Sequence, residues 1–216
     1  MSLNEQYDKF FNAGIKSFGY KNVIDIINHF YNTYKLPIIS MGSGIGIIEY
    51  LAKEHNNNIN WICIDINNNP INFPSNANQY VSKPFMNIDY NSCDELITND
   101  QNIIGNCILF LNWCLPSDSY YDFEAIIKLK PIAILSIYED YNDMNGAAGG
   151  VYFYDWTKNN IEYHLKSEYS LYADQFHRND DELMDIRISW WQSNNIHNDK
   201  LVIKAYPCMC PNNKKN

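Results

Sequence analysis

The stretch that most constrains this chain runs from residue 38 to residue 53, Ile-Ile-Ser-Met-Gly-Ser-Gly-Ile-Gly and then Ile-Ile-Glu-Tyr-Leu-Ala-Lys. It reads as a buried strand, a glycine turn and a helix. Glycine tolerates backbone angles closed to other residues and carries no side chain. Gly42, Gly44 and Gly46 therefore let the chain turn sharply off a strand end and leave only hydrogen between the main chain and anything bound there. A strand feeding directly into a helix belongs to an α/β architecture, in which helices pack on a mostly parallel sheet.

The glycine spacing narrows the ligand. Dinucleotide-binding turns use G-x-G-x-x-G, whose third glycine would fall at position 47. That position is Ile47, and the third glycine comes one residue earlier at Gly46. A pyrophosphate must approach the helix N-terminus closely, whereas a ligand without phosphates needs only a flat backbone platform. A second apolar segment, Trp61, Ile62, Cys63 and Ile64, ends in Asp65. This acid lies about twenty residues past the glycines, where a ribose-binding carboxylate sits in nucleoside-binding βαβ units. Its competing reading is a turn residue opening the loop Asn67, Asn68, Asn69, Pro70.

With these residues the chain resembles the class I S-adenosylmethionine-dependent methyltransferases, in which a G-x-G-x-G turn follows the first strand and an acid ends the second. The resemblance spans residues 36–206 and extends, more loosely, to methyltransferase-like proteins with a GSG turn. It implies a Rossmann-like three-layer α/β fold: a mostly parallel seven-stranded sheet ending in an antiparallel hairpin, with N-terminal helices. The implied cofactor is S-adenosylmethionine, backed by Gly42, Ser43, Gly44 and Gly46, with Asp65 at its ribose and Asp89 at its adenine. Where the family carries an acid two residues before the first glycine, this chain has Ser40.

At 216 residues the chain has the size of one domain, divided as N-terminal helices over residues 1–35, a core over 36–206 and a tail over 207–216. No run of about 18 apolar residues and no secretory leader stands out, so an intracellular, cytoplasmic protein is expected, with no membrane partner. The formal net charge of -9 and the lack of any basic cluster beyond Lys214 and Lys215 weaken a nucleic-acid partner. A small-molecule or protein acceptor is favoured, and the oligomeric state is left open. The six cysteines form no C-x-x-C pairs and the five histidines no i, i+4 pair, so no metal site is expected.

Apolar spacing predicts a helix carrying Val23, Ile26, Ile27, Phe30 and Tyr34 on one face. A helix over 7–18 precedes it, with Tyr7, Phe11 and Tyr20 as lid candidates or ordinary core aromatics. A third strand is expected at 79–82. Asp89 beyond it is an adenine contact, an exposed loop acid or, with Asp94 and Glu95, a helix N-terminal charge. The run Cys107 to Leu111 predicts a strand buried on both faces, delivering Asn112 and Trp113 to the sheet edge where open α/β folds place their chemistry. Asn112 is a candidate to orient an acceptor and Trp113 to wall it; alternatively they satisfy a strand end and pack under the next helix. Only Asn112 and a displaced Pro116 match the motif of amino-methylating relatives.

That next helix is expected to begin with a Ser119-x-x-Asp122 capping box and to bury Phe123, Ile126 and Ile127. A strand over 132–138 then ends in Tyr138, a candidate substrate contact, and Glu139, a candidate general base or a solvated acid. Tyr152, Phe153, Tyr154 and Trp156 are candidates for an acceptor pocket. Alternation predicts strands near 184–190 and 201–206 that pair as the closing hairpin. Residues 161–178 are left between strand and helix. The leading reading is a methyltransferase; the alternative is a noncatalytic protein that keeps the fold as an interaction scaffold. A nicotinamide-dependent reductase is disfavoured by Ile47.

Overall fold

The computed structural model describes residues 21–44, 46–65, 85–112, 121–139, 151–172 and 185–195. Two compact units, Met1–Ile108 and Leu109–Asn216, divide within one strand.

The first unit begins with helix α1, Lys21–Tyr34. Val23, Ile26, Ile27 and Phe30 line its buried face as their spacing predicts, joined by Ile24. Tyr34 stacks on Phe30 with ring centroids 6.2 Å apart. Strand β1, Ile38–Met41, is buried along its whole length. It pairs in parallel with β2, Trp61–Ile64, in a register that sets Ile38 beside Trp61 and Met41 beside Ile64. Continuous apolar sequence suits both strands, because a parallel sheet is covered on both faces.

Helix α2, Ile47–His55, connects β1 to β2 and buries Ile47, Ile48, Leu51 and Ala52. The far edge of β2 is met by residues 89–90, where Asp89 donates its N–H to the Cys63 carbonyl at 2.9 Å and Tyr90 bridges Ile64 in parallel. Helix α3, Cys93–Asn99, follows; Ser92 caps it by accepting from the Glu95 N–H, and Asp94 and Glu95 occupy its first turn. Those two acids sit where the helix dipole favours negative charge. Strand β3, Ile108–Asn112, enters beside β1, the Ile108 N–H donating to the Pro37 carbonyl at 2.9 Å.

In the second unit the strand order is β3-β4-β6-β5. It contains helix α4, Tyr121–Leu129; strand β4, Ala133–Glu139; helix α5, Val151–Asn159; strand β5, Tyr163–Tyr172; and strand β6, Asp185–Ser193. Helix α4 buries Asp122, Ala125, Ile126 and Leu129. Ile127 is 48% exposed, so the expected grouping of Phe123, Ile126 and Ile127 is displaced by one position around the helix. Residues 163–172, left open by the sequence, form one strand with a bulge between Leu165 and Ser167.

Strand β6 supplies the antiparallel part of the sheet. It runs antiparallel to β4 on one edge, with Leu135 opposite Trp190, and antiparallel to β5 on the other, with Tyr169 opposite Ile188. A strand has two hydrogen-bonding edges, and β4 and β5 fill both edges of β6. Six strands are present among the described residues rather than seven. The helix predicted over 7–18 with its lid candidates, the third strand at 79–82, Ser119 and residues 201–206 lie outside the described residues.

The aromatic side chains proposed to line an acceptor pocket pack mainly into the interior of this unit. Phe153 and Tyr154 each meet Tyr138 edge-on, and Trp156 lies against Phe153, Tyr163 and Trp191 with centroids 5.1 to 5.9 Å apart. Tyr152 stays 51% exposed. The Tyr163 hydroxyl donates to the Pro131 carbonyl at 2.8 Å in this buried setting. Tyr163→Phe keeps the ring packing and removes that bond, for an expected loss of about 1 kcal/mol in urea unfolding. An unchanged midpoint would show that the bond contributes nothing.

Candidate functional site

The turn after β1 is built as its glycines require. Gly42, Gly44 and Gly46 have φ of 72°, 56° and 69°, all in the left-handed region. At Gly46 the lack of a side chain also permits close packing, since an added Cβ would stand 2.5 Å from Met86 Cβ. At Gly44 an added Cβ would meet nothing within 4 Å among the described residues, which leave this face of the turn open. The two glycines serve different ends: Gly46 admits the segment at residues 85–86, and Gly44 presents bare backbone.

The hydrogen bonds of the turn are directed inward. Gly42 and Ser43 donate their N–H groups to the Ile64 carbonyl at 2.9 and 3.2 Å, and Gly46 donates to Ser43 at 2.9 Å. The Gly44 N–H donates to Asp65 Oδ2 at 2.7 Å, tying the acid after β2 directly to the turn. The Ser43 hydroxyl donates back to the Ser40 carbonyl at 3.0 Å, so its side chain faces the interior. Every described N–H of the turn is therefore engaged within the protein. A phosphate cradle needs such donors turned toward the anion.

A second carboxyl group stands under the same turn. Glu49, in the first turn of α2, is fully buried; its Oε1 accepts a hydrogen bond from the Ser40 hydroxyl. Its Oε2 has no hydrogen-bond partner among the described residues. Burial pushes its pKa up to about 7, against the lowering effect of Ser40 and of its own backbone N–H, while nearby Asp65 raises it further. The sequence reading passed over Glu49. The available signal was a pair of polar residues, Ser40 in an apolar strand and Glu49 among Ile48, Leu51 and Ala52, whose only favourable placement is against each other.

The other candidates divide between the units. Asp89, beside the same strand as Asp65, is exposed, and its Oδ2 accepts from the Cys63 N–H at 2.8 Å. Its carboxylate helps to complete the edge of β2 rather than standing alone in solvent. In the second unit Asn112 ends β3, and its side-chain oxygen is buried without a partner among the described residues. Tyr138 is buried against Phe153 and Tyr154, and Glu139 closes β4 opposite Ile186. Trp113 lies outside the described residues.

Cys63, Cys93 and Cys107 are buried outside any disulfide, and burial raises the thiol pKa of Cys63 and of Cys107, the latter to about 12. Cysteines held as thiols in this way are poor nucleophiles. Among the described residues no group of three or more His, Cys, Asp or Glu could hold a metal ion. No helix among them is long and apolar enough to cross a membrane.

Solved structures share the fold. The chain is similar to a "putative O-methyltransferase" from Klebsiella pneumoniae at 8% identity and a TM-score of 0.56, covering 88% of this chain and 89% of that one. It is similar to a "putative caffeoyl-CoA O-methyltransferase" from Staphylococcus aureus at 13% identity and 0.52, covering 89% and 93%. A SAM-dependent methyltransferase from Anabaena variabilis matches at 10% identity and 0.50, covering 89% and 96%. The fold is that of the class I S-adenosylmethionine-dependent methyltransferases. No protein-family model matches the chain, and no curated protein matches it significantly. Within the methyltransferase fold, the glycine turn and Asp65 occupy the end of β1 and the end of β2, and Ser40 with Glu49 lies immediately behind them.

Proposed function

We propose that the protein is an S-adenosylmethionine-dependent methyltransferase acting on a small molecule or a protein. One observation carries the reading: the described N–H groups of the glycine turn are engaged internally, and two carboxyl groups, Asp65 and Glu49, stand at it. A phosphate would find few donors there and two acids to repel it. A nucleoside ligand of net positive charge suits the same surroundings.

When bound, the cofactor supplies a methyl group already activated on a sulfonium centre. Gly42, Ser43, Gly44 and Gly46 offer backbone rather than side chains to it, and Gly44 gives the open face. Asp65 is held in place by the Gly44 N–H, and a carboxylate has acceptor capacity beyond one bond, so ribose hydroxyls are its proposed partners. Asp89 is the proposed adenine neighbour, with its carboxylate shared with the Cys63 N–H. The chemical step asks the protein mainly to align an acceptor and to take a proton from a hydroxyl or ammonium group. Asn112, through an amide oxygen without a partner among the described residues, is the proposed orienting group. Glu139 is the proposed proton acceptor, and Trp113 and Tyr138 are the proposed walls of the acceptor site.

Calorimetry tests the reading. The full chain should give heat with both S-adenosylmethionine and S-adenosylhomocysteine. Asp65→Ala should weaken both by about ten- to a hundred-fold, the loss expected for charge-assisted hydrogen bonds. Glu54→Ala, at an exposed position on α2, should leave both unchanged. No heat with either ligand at millimolar concentration would instead favour the noncatalytic scaffold.

A further inference from the structure

We infer that the buried Glu49 carboxyl sets the preference of the turn for a positively charged ligand over its neutral counterpart, and is thus a positioning residue that acts by charge from behind the turn. The inference rests on the cofactor reading above and deepens it. Glu49 is wholly enclosed, so it touches no ligand itself. Oε1 is fixed by the Ser40 hydroxyl, and Oε2 has no hydrogen-bond partner among the described residues. Burying a carboxyl with an unpartnered oxygen is unfavourable, and a fold that keeps one under its ligand turn has placed a charge whose balance must come from elsewhere.

The groups around it do not provide that balance. Ser40 faces it from β1 as a neutral donor, and the buried Cys63 on β2 is held as a thiol. Asp65, after β2, adds a second negative charge. Lys53, one helical turn further along α2, is exposed to solvent, which screens it. Burial and Asp65 accordingly hold the proton on Glu49 up to about pH 7. A cation bound at the turn favours loss of that proton, and by linkage the ionised carboxylate favours the cation. S-adenosylmethionine carries one more positive charge than S-adenosylhomocysteine, the sulfonium. The methyl donor therefore gains affinity as Glu49 ionises, whereas the spent thioether gains little. The turn would release product more readily than it releases donor above neutral pH.

The test is the ratio of the two dissociation constants, measured by calorimetry on the full chain between pH 6 and pH 8.5. In the wild-type protein the preference for S-adenosylmethionine should rise by about five-fold across this range, the size of a charge interaction through partly screened protein. Glu49→Gln should hold the ratio flat at its acid-side value. Ser40→Ala removes the hydrogen bond and keeps the carboxyl, so the rise should persist with its midpoint moved to higher pH. A merely structural role for Glu49 would change both affinities together and leave the pH dependence of the ratio intact. Binding of both ligands with the same rise in Glu49→Gln, or an unmoved midpoint in Ser40→Ala, overturns the assignment and leaves the methyltransferase reading standing. Absence of binding by either ligand to the wild-type protein overturns that reading, and the assignment with it.

Discussion

Gly46→Ala is expected to lower the unfolding free energy by about 3 kcal/mol, the sum of left-handed backbone strain and overpacking at one site. Both terms come from its position at the start of α2. Its φ of 69° is unfavourable for any residue with a Cβ, and that Cβ would lie 2.5 Å from Met86 Cβ and 3.2 Å from the Met86 backbone nitrogen. The contact involves main chain, so a rotamer change cannot relieve it; residues 85–86 must move off the turn. Phe85 packs against Tyr50 of α2 with centroids 5.3 Å apart, so this displacement disturbs a second contact. Gly44→Ala provides the comparison. Its φ is 56° and its surroundings are open, so strain alone applies, at about 1 to 2 kcal/mol. Urea unfolding of the two variants separates the effects: equal losses would mean that Met86 yields without cost.

The second large effect is a dependence of stability on pH that one substitution should abolish. The Glu49 carboxyl has its pKa raised from 4.5 to about 7 by burial. The folded protein thus holds a proton that the unfolded chain gives up, and ∂ΔG/∂pH is negative between those values. The contribution is complete below about pH 4.5 and is lost as pH rises from there through about 7, amounting to about 3 kcal/mol. Glutamine has no proton to lose. Wild-type stability should therefore fall relative to Glu49→Gln between pH 5 and pH 8.5, as read from urea midpoints at each pH. Parallel pH profiles for the two proteins would show that Glu49 titrates as an ordinary surface acid. This measurement needs no ligand, and it examines the buried carboxyl independently of any binding result.

Much of the α/β pattern could be read from local sequence because parallel strands announce themselves. Residues 38–41, 61–64, 108–112 and 133–139 are largely apolar runs, and each is a strand. The same directness holds for α1, whose apolar stripe repeats at helical spacing. What escaped was pairing between distant segments. Nothing local in residues 185–193 distinguishes a hairpin partner from an inserted strand, because alternation records one exposed face and not which neighbours fill the two edges. Ile127 went to the wrong side of α4 because a helix of nine residues has several apolar positions and only packing decides which are covered.

The same limit applied at the candidate site. Gly42, Gly44, Gly46 and Asp65 could be picked out because backbone geometry and strand ends leave residue-type signatures. Glu49 left a weaker signal, a polar residue among apolar ones, because its significance lies in a hydrogen bond to Ser40, nine residues away in sequence and brought close by the turn itself.

The antiparallel insertion of β6 has a consequence for how the second unit is made. In a growing chain, β4 and β5 are complete some time before residues 185–193 have been synthesised, and neither can close its side of the sheet without them. Until β6 arrives the unit is a half-built slot, with a strand edge waiting on each side and the pairing of Ala133 with Gln192 still to be made. Exposed edges of this kind invite pairing with other chains. Strand β6 is then the keystone of this part of the sheet, and truncations that remove it should yield aggregates rather than a smaller folded unit.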